Sequence, residues 1–170
     1  MTMETTAEWE RRCAALWDAF DECDPAEFRS RMKALTDELP PGHAVADFEL
    51  ASAYDATDLG EQAVPLYRKA LDGGLDSDRR RQAVIQLAST LRTLGDPQSS
   101  ADLLLAERDQ TSDRLDDAVS AFLALAFVDL GREREAAALA LGALSRHLPA
   151  YNRSLAHYAQ ALTAEGITGG

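Results

Sequence analysis

The chain has 170 residues and carries 29 acidic against 17 basic side chains, a formal net charge of -12. That field repels phosphate backbones and disfavours nucleic-acid binding. The longest apolar runs are too short for a membrane-spanning helix, and a hydrophobic fraction of 46% excludes disorder of the whole chain.

Alanine and leucine supply much of the apolar content and are strong helix formers, whereas β-branched residues are sparse. Residues Met1 to Trp17 carry acids and arginines but no apolar h-region. No secretory signal is therefore expected, and the cytoplasm is the expected location. Trp9, Cys13, Leu16, Trp17 and Phe20 fall at i, i+4, i+7, i+8 and i+11, one apolar stripe on a first helix. Cys13 and Cys23 would be about 15 Å apart along a single helix, too far for a disulfide, so free thiols are expected. Asp24-Pro25 stops this helix and starts the next, because Asp caps and Pro suits a first turn. The second helix holds Phe28, Met32, Leu35 and Leu39 and is predicted to end at Pro40-Pro41-Gly42.

Helix pairs follow at 43–57 with 60–73, 78–94 with 97–108, and 114–130 with 132–147, then a last helix from about 150 to 164. Ser77 or Asp78, and Asp109, Ser112 and Asp113, are expected as helix caps. The fold class is all-α, with about nine helices. No linker is long enough to divide the chain, so residues 1–170 are expected to form one domain. It comprises an N-terminal pair at 5–40, repeat units at 43–77, 78–112 and 113–149, and a capping helix at 150–165. The tail from Gly166 to Gly170 is expected to fray.

The pairs are copies of one another. Leu50-Ala51 recurs as Leu87-Ala88 and Leu123-Ala124. Four residues after each leucine stands a large apolar group: Tyr54, Leu91, Phe127. Thirteen after stands a small one: Ala63, Ser100, Ala136. Tyr67, Leu104 and Ala140 come seventeen after, and Ala70, Glu107 and Ala143 twenty after. Gly95 and Gly131 stand eight after their leucine, in the inter-helix turn. Small residues opposite large ones let two antiparallel helices approach closely, and a pair that cannot bury its apolar face alone must stack on the next.

This order of Leu-Ala, aromatic, Gly, Ala, aromatic and Ala resembles the tetratricopeptide repeat. The best match is residues 44–77. The chain is similar to small stand-alone members that end in a Leu-Pro-x-Tyr-Asn-Arg-Ser-Leu segment, here Leu148 to Leu155. The resemblance implies a right-handed superhelix of helix pairs and protein binding in a concave groove, with no catalysis. The repeats here step by 37 and 36 residues, Glu107 replaces a small residue, and the closing proline is missing at Leu75.

The sequence carries no recognisable catalytic or metal-binding motif. His43, His147 and His157 lack a second ligand at metal-binding spacing, and His147 suits a helix C-terminus. Asp76-Ser77-Asp78 fails as a calcium loop, because a loop starting at Asp72 has Ser77 sixth and Ala83 twelfth. No phosphate loop and no Gly-x-Ser-x-Gly elbow is present. No cofactor or metal is expected, and the protein is read as a non-enzyme.

By the resemblance, the groove positions are Phe48, Ser52 and Asp55, then Ile85, Ser89 and Arg92, then Ala121, Leu125 and Val128. The Lys/Asn/Arg clamp of chaperone-binding members has Phe48, Ser52, Gln86, Ala118 and Phe122 in its places, so a C-terminal carboxylate ligand is not expected. Arg79-Arg80-Arg81 opens a helix where the dipole prefers acids. It is read either as a solvated helix start paired with Asp76 and Asp78 or as a site for an acidic partner, with Asn152, Arg153 and His157 as further polar groups. The expected function is a scaffold binding a protein or peptide partner. The alternatives are a homodimer through the N-terminal helix with its Trp9, Trp17 and Phe20, and a small-molecule sensor or cryptic enzyme.

Overall fold

The computed structural model describes residues 5–110 and 112–164; the tail expected to fray, from Gly166 to Gly170, lies outside them. Among the described residues there are nine α-helices, one 3-10 turn and no strand. The helices are α1 (Ala7–Asp18), α2 (Pro25–Thr36), α3 (Ala44–Asp55), α4 (Gly60–Asp72), α5 (Ser77–Thr93), α6 (Pro97–Gln110), α7 (Asp116–Asp129), α8 (Glu133–Ser145) and α9 (Asn152–Ala164), with the 3-10 turn at Phe20–Glu22.

Helix starts follow capping chemistry. The Thr6 hydroxyl accepts from Trp9 N at 3.2 Å, and the Asp24 carboxylate accepts from Ala26 N at 2.9 Å and Glu27 N at 3.2 Å. At α5 the cap is Asp76, which accepts from Arg79 N at 3.0 Å, and not Ser77 or Asp78, which are helical. α2 stops four residues before Pro40. Its chain tightens into i to i-3 bonds, from Glu38 N to Leu35 O and from Leu39 N to Thr36 O. A residue preceding proline avoids the α region, and Leu39 still packs on the core from this turn.

The first helix of each repeat ends in the same way. Leu59, Asp96 and Arg132 donate their N–H to the carbonyls of Tyr54, Leu91 and Phe127 at 2.9, 2.9 and 2.8 Å. Asp58, Gly95 and Gly131 donate to Asp55, Arg92 and Val128. These are paired Schellman bonds at identical repeat positions. The motif needs a left-handed residue, and Gly95 and Gly131 supply it at φ 92° and 72°. In the first repeat Asp58 adopts φ 61° instead, a conformation that Asp tolerates better than most side chains.

The chain divides into two compact units, Met1–Thr90 and Leu91–Gly170. The division falls inside α5, within the second repeat unit. In the first unit, Trp9, Cys13, Leu16, Phe28, Met32, Leu35, Val45 and Ala53 form a buried cluster, with Trp17, Phe20 and Leu39 packed against it. The Trp17, Phe20 and Phe28 rings lie 4.8 to 6.0 Å apart, and the Trp9 indole donates to Leu35 O at 2.9 Å. Of the N-terminal aromatics considered for a dimer contact, Trp9 is buried in the unit's own core and Trp17 and Phe20 are half-buried against it. Fully burying such a side chain contributes about 1.5–3 kcal/mol. α3 packs on α4, with Ala51, Ala63, Tyr67 and Ala70 fully enclosed. Leu50, which leads the repeat, is only half-buried.

In the second unit α6 packs on α7, α7 on α8, and α8 on α9. Leu104, Val119, Leu123 and Ala126 form its interior. Glu107 is buried at the place the repeat assigns to a small residue, whereas Ala140 is exposed at the place of Tyr67 and Leu104. Arg132 lies 3.8 Å over the Phe127 ring. Arg146 and His147 both meet Asp117, His147 at 2.7 Å, so this histidine has a carboxylate partner on α7 as well as its place after α8.

Candidate functional site

Within the first unit, α3 and α5 border an open cavity of about 530 Å³ lined by Trp17, Phe48, Glu49, Ser52, Asp55, Ala56, Tyr67, Gln82 and Gln86. Phe48, Ser52 and Asp55 face it together because they recur at i, i+4 and i+7 on α3. Gln82 and Gln86 stand one turn apart on α5. α5 is buried around most of its circumference, and these two glutamines are among its half-buried positions.

Hydrogen bonds knit the walls. The Ser52 hydroxyl reaches Gln86 Oε1 at 3.0 Å and its own helix at Phe48 O at 3.0 Å. Tyr67, from α4, donates its hydroxyl to Asp55 Oδ2 at 3.2 Å, and Thr90, from α5, donates to the same oxygen at 2.8 Å. The Trp17 indole donates to Glu49 Oε2 at 2.8 Å, which brings α1 to the cavity edge. Burial pushes the Glu49 carboxyl above its usual range, against the pull of the Trp17 N–H and the Arg79 charge. Burial likewise pushes the Tyr67 hydroxyl up, with the Asp55 charge adding to it. The Cys13 thiol is pushed up to about 12 by burial and then by the Glu49 charge. It is no thiolate nucleophile at neutral pH. Both cysteines are free. Among the described residues no group of three or more His, Cys, Asp or Glu side chains could hold a metal ion.

The other positions singled out from the sequence are scattered. Ile85 is buried and Ser89 half-buried, and neither lines the cavity. Arg92 belongs to the second unit and pairs with Asp129 at 2.8 Å. Leu125 and Val128 are exposed on α7, at 45% and 51%, with Ala121 also exposed on that helix. Asn152 accepts from Arg153 N at 2.9 Å, at the start of α9, and the Arg153 side chain is exposed. Arg79 is drawn inward. It pairs with Glu10 at 2.5 Å and Asp76 at 3.2 Å, and stands 3.8 Å from Glu49. Arg80 is half-buried, and Arg81 is enclosed at 1% exposure. Arg79 does pair with Asp76, as the helix-start reading expected, but Arg79 and Arg80 are half-buried and Arg81 is enclosed, so the triplet is not an open basic patch.

Gln82, Gln86, Glu49, Tyr67 and Trp17 were not among the candidates for the groove taken by repeat alignment, although Gln86 appeared as a clamp position. Matching repeats by their 37-residue step pairs Ser52 with Ser89. The residue that touches Ser52 is Gln86, about one helical turn earlier. Equivalent positions in neighbouring repeats are displaced along the stack, so contact follows helix crossing and not alignment.

A family model described as Tetratrico peptide repeat matches residues 44–162, well over half of the chain. The chain belongs to the tetratricopeptide repeat family. No curated protein and no solved structure matches it. The family match opens with α3 and closes in α9, so α1 and α2 stand outside it. Tetratricopeptide repeats in general are protein–protein interaction modules and typically non-catalytic. Among the described residues no helix is long and apolar enough to cross a membrane.

Proposed function

We propose that this tetratricopeptide repeat protein is a non-catalytic scaffold, and that it holds a segment of a partner protein against the α3–α5 face of its first unit. The observation that carries the reading is the cavity itself. Phe48 and Trp17 offer apolar wall, while Ser52, Asp55, Gln82 and Gln86 offer polar groups at fixed positions. A mostly concave apolar site with a few convergent polar groups is what peptide recognition uses. The hydrogen-bonded walls would hold it open before a partner arrives, which lowers the ordering cost of binding.

A photo-crosslinking residue placed at Gln82 tests this. In extract from the source cell, the Gln82 probe is expected to capture one partner segment. The same probe at Arg68, exposed on α4, is expected to capture none of it. Equal capture from both positions would count against the α3–α5 face.

A further inference from the structure

We infer that the cavity takes a cationic side chain, Lys or Arg, carried by the bound partner segment; this rests on the reading that a partner segment docks on this face. The lining residues include two carboxylates, Glu49 and Asp55, and no basic group. Glu49 is already matched, by the Trp17 indole at 2.8 Å and by Arg79 at 3.8 Å. Asp55 is matched on one side only. Tyr67 and Thr90 both donate to Oδ2, and among the described residues no donor meets Oδ1. Gln86 gives its carbonyl oxygen to Ser52, which still leaves a second lone pair on that oxygen. Among the described residues no hydrogen bond engages the Gln82 side chain.

The cavity therefore presents one unmatched carboxylate oxygen, Asp55 Oδ1, between aromatic walls, beside two glutamine amides that can turn either their carbonyl oxygen or their NH2 to a ligand. Ammonium and guanidinium groups carry donors only, and both are attracted to aromatic faces. An acidic side chain would meet two carboxylates. An apolar one would cover Asp55 and the glutamine amides without replacing their water. The formal charge of -12 acts at longer range and steers basic partners towards the chain. Trp17 lies outside the family match, so this wall is supplied by the chain's own N-terminal helix and not by the repeats.

The test is a randomised decapeptide library selected on the immobilised full chain. Selected peptides are then titrated while the Trp17 indole and the Gln82 and Gln86 side-chain amides are followed by NMR. The expected result is one position held by Lys or Arg, with replacement of that residue by Ala weakening binding about ten-fold, as for a charge-assisted bond. Gln82→Lys, which places an ammonium in the cavity, should weaken binding at least about ten-fold. Gln82→Glu should strengthen it several-fold with an unchanged circular dichroism spectrum. Peptides that move these signals but anchor through Glu or Leu overturn the cation inference and leave the docking reading standing. Peptides that leave the signals unmoved, or a library without binders, overturn both. Free arginine or spermidine binding as tightly as the peptides overturns the assignment to a partner protein.

Discussion

Arg79→Glu is expected to unfold the first unit at neutral pH. Arg79 holds three acids from different parts of the chain, namely Glu10 on α1, Glu49 on α3 and Asp76 at the cap of α5. Its side chain is 23% exposed and Glu49's only 9%, so solvent screens that contact weakly, whereas Glu10 at 35% and Asp76 at 50% are screened more strongly. Taking the cation from beside the buried Glu49 costs about 3 kcal/mol, the more exposed Glu10 and Asp76 add little, and a fourth acid adds repulsion. For a unit of this size, roughly 4–8 °C of melting temperature goes with each kcal/mol. The pH dependence has a definite sign. Burial raises the Glu49 carboxyl above the usual carboxylate range, so the folded state holds that proton more tightly than the unfolded chain does. This contribution is full at low pH and is lost as pH rises through the folded value. Without the Arg79 charge the folded value moves further up. The variant should therefore regain melting temperature between pH 8 and pH 5, and by more than the wild type does. A variant that melts like the wild type at both values would contradict the network.

Tyr67→Ala is the second large effect. Tyr67 is fully enclosed between α3 and α4, with its ring 6.5 Å from that of Phe48. Truncating a large core aromatic to alanine costs about 3–5 kcal/mol through lost burial and the cavity left behind. Tyr67→Phe removes only the hydroxyl, while Thr90 continues to donate to Asp55 Oδ2. It should cost about 1 kcal/mol. Urea unfolding read at both variants separates these costs. A midpoint for Tyr67→Ala within that of Tyr67→Phe would mean that α3 and α4 do not close around this ring.

Much of the architecture was legible because the repeat is written in residue size. Leu87, Ala88, Leu123, Ala124, Ala63, Ser100 and Ala136 were picked by spacing alone, and all are buried. The turn glycines were legible because φ near 90° selects for them, whereas Asp58 carries no such mark in sequence. The premature end of α2 escaped notice because Leu39 keeps the helical spacing while packing from a turn. The arginine triplet misled for a different reason. Local charge allowed a solvated helix start paired with Asp76 and Asp78 or a site for an acidic partner; the pair with Asp76 is there, but another acid that draws Arg79 inward, Glu10, is 69 residues away. At the cavity, the α3 positions taken from the resemblance, Phe48, Ser52 and Asp55, do line one wall together. The α5 side was not legible, because which residue of α5 touches Ser52 depends on a crossing that no repeat alignment encodes.

Hydrogen–deuterium exchange on the full chain, with and without the segment captured by the Gln82 probe, tests the central claim most directly. The account predicts slowed exchange in α3 and in the Arg79–Gln86 stretch of α5, with α8 unchanged. Protection confined to α7, α8 and α9, with α3 exchanging as in the free protein, would contradict it.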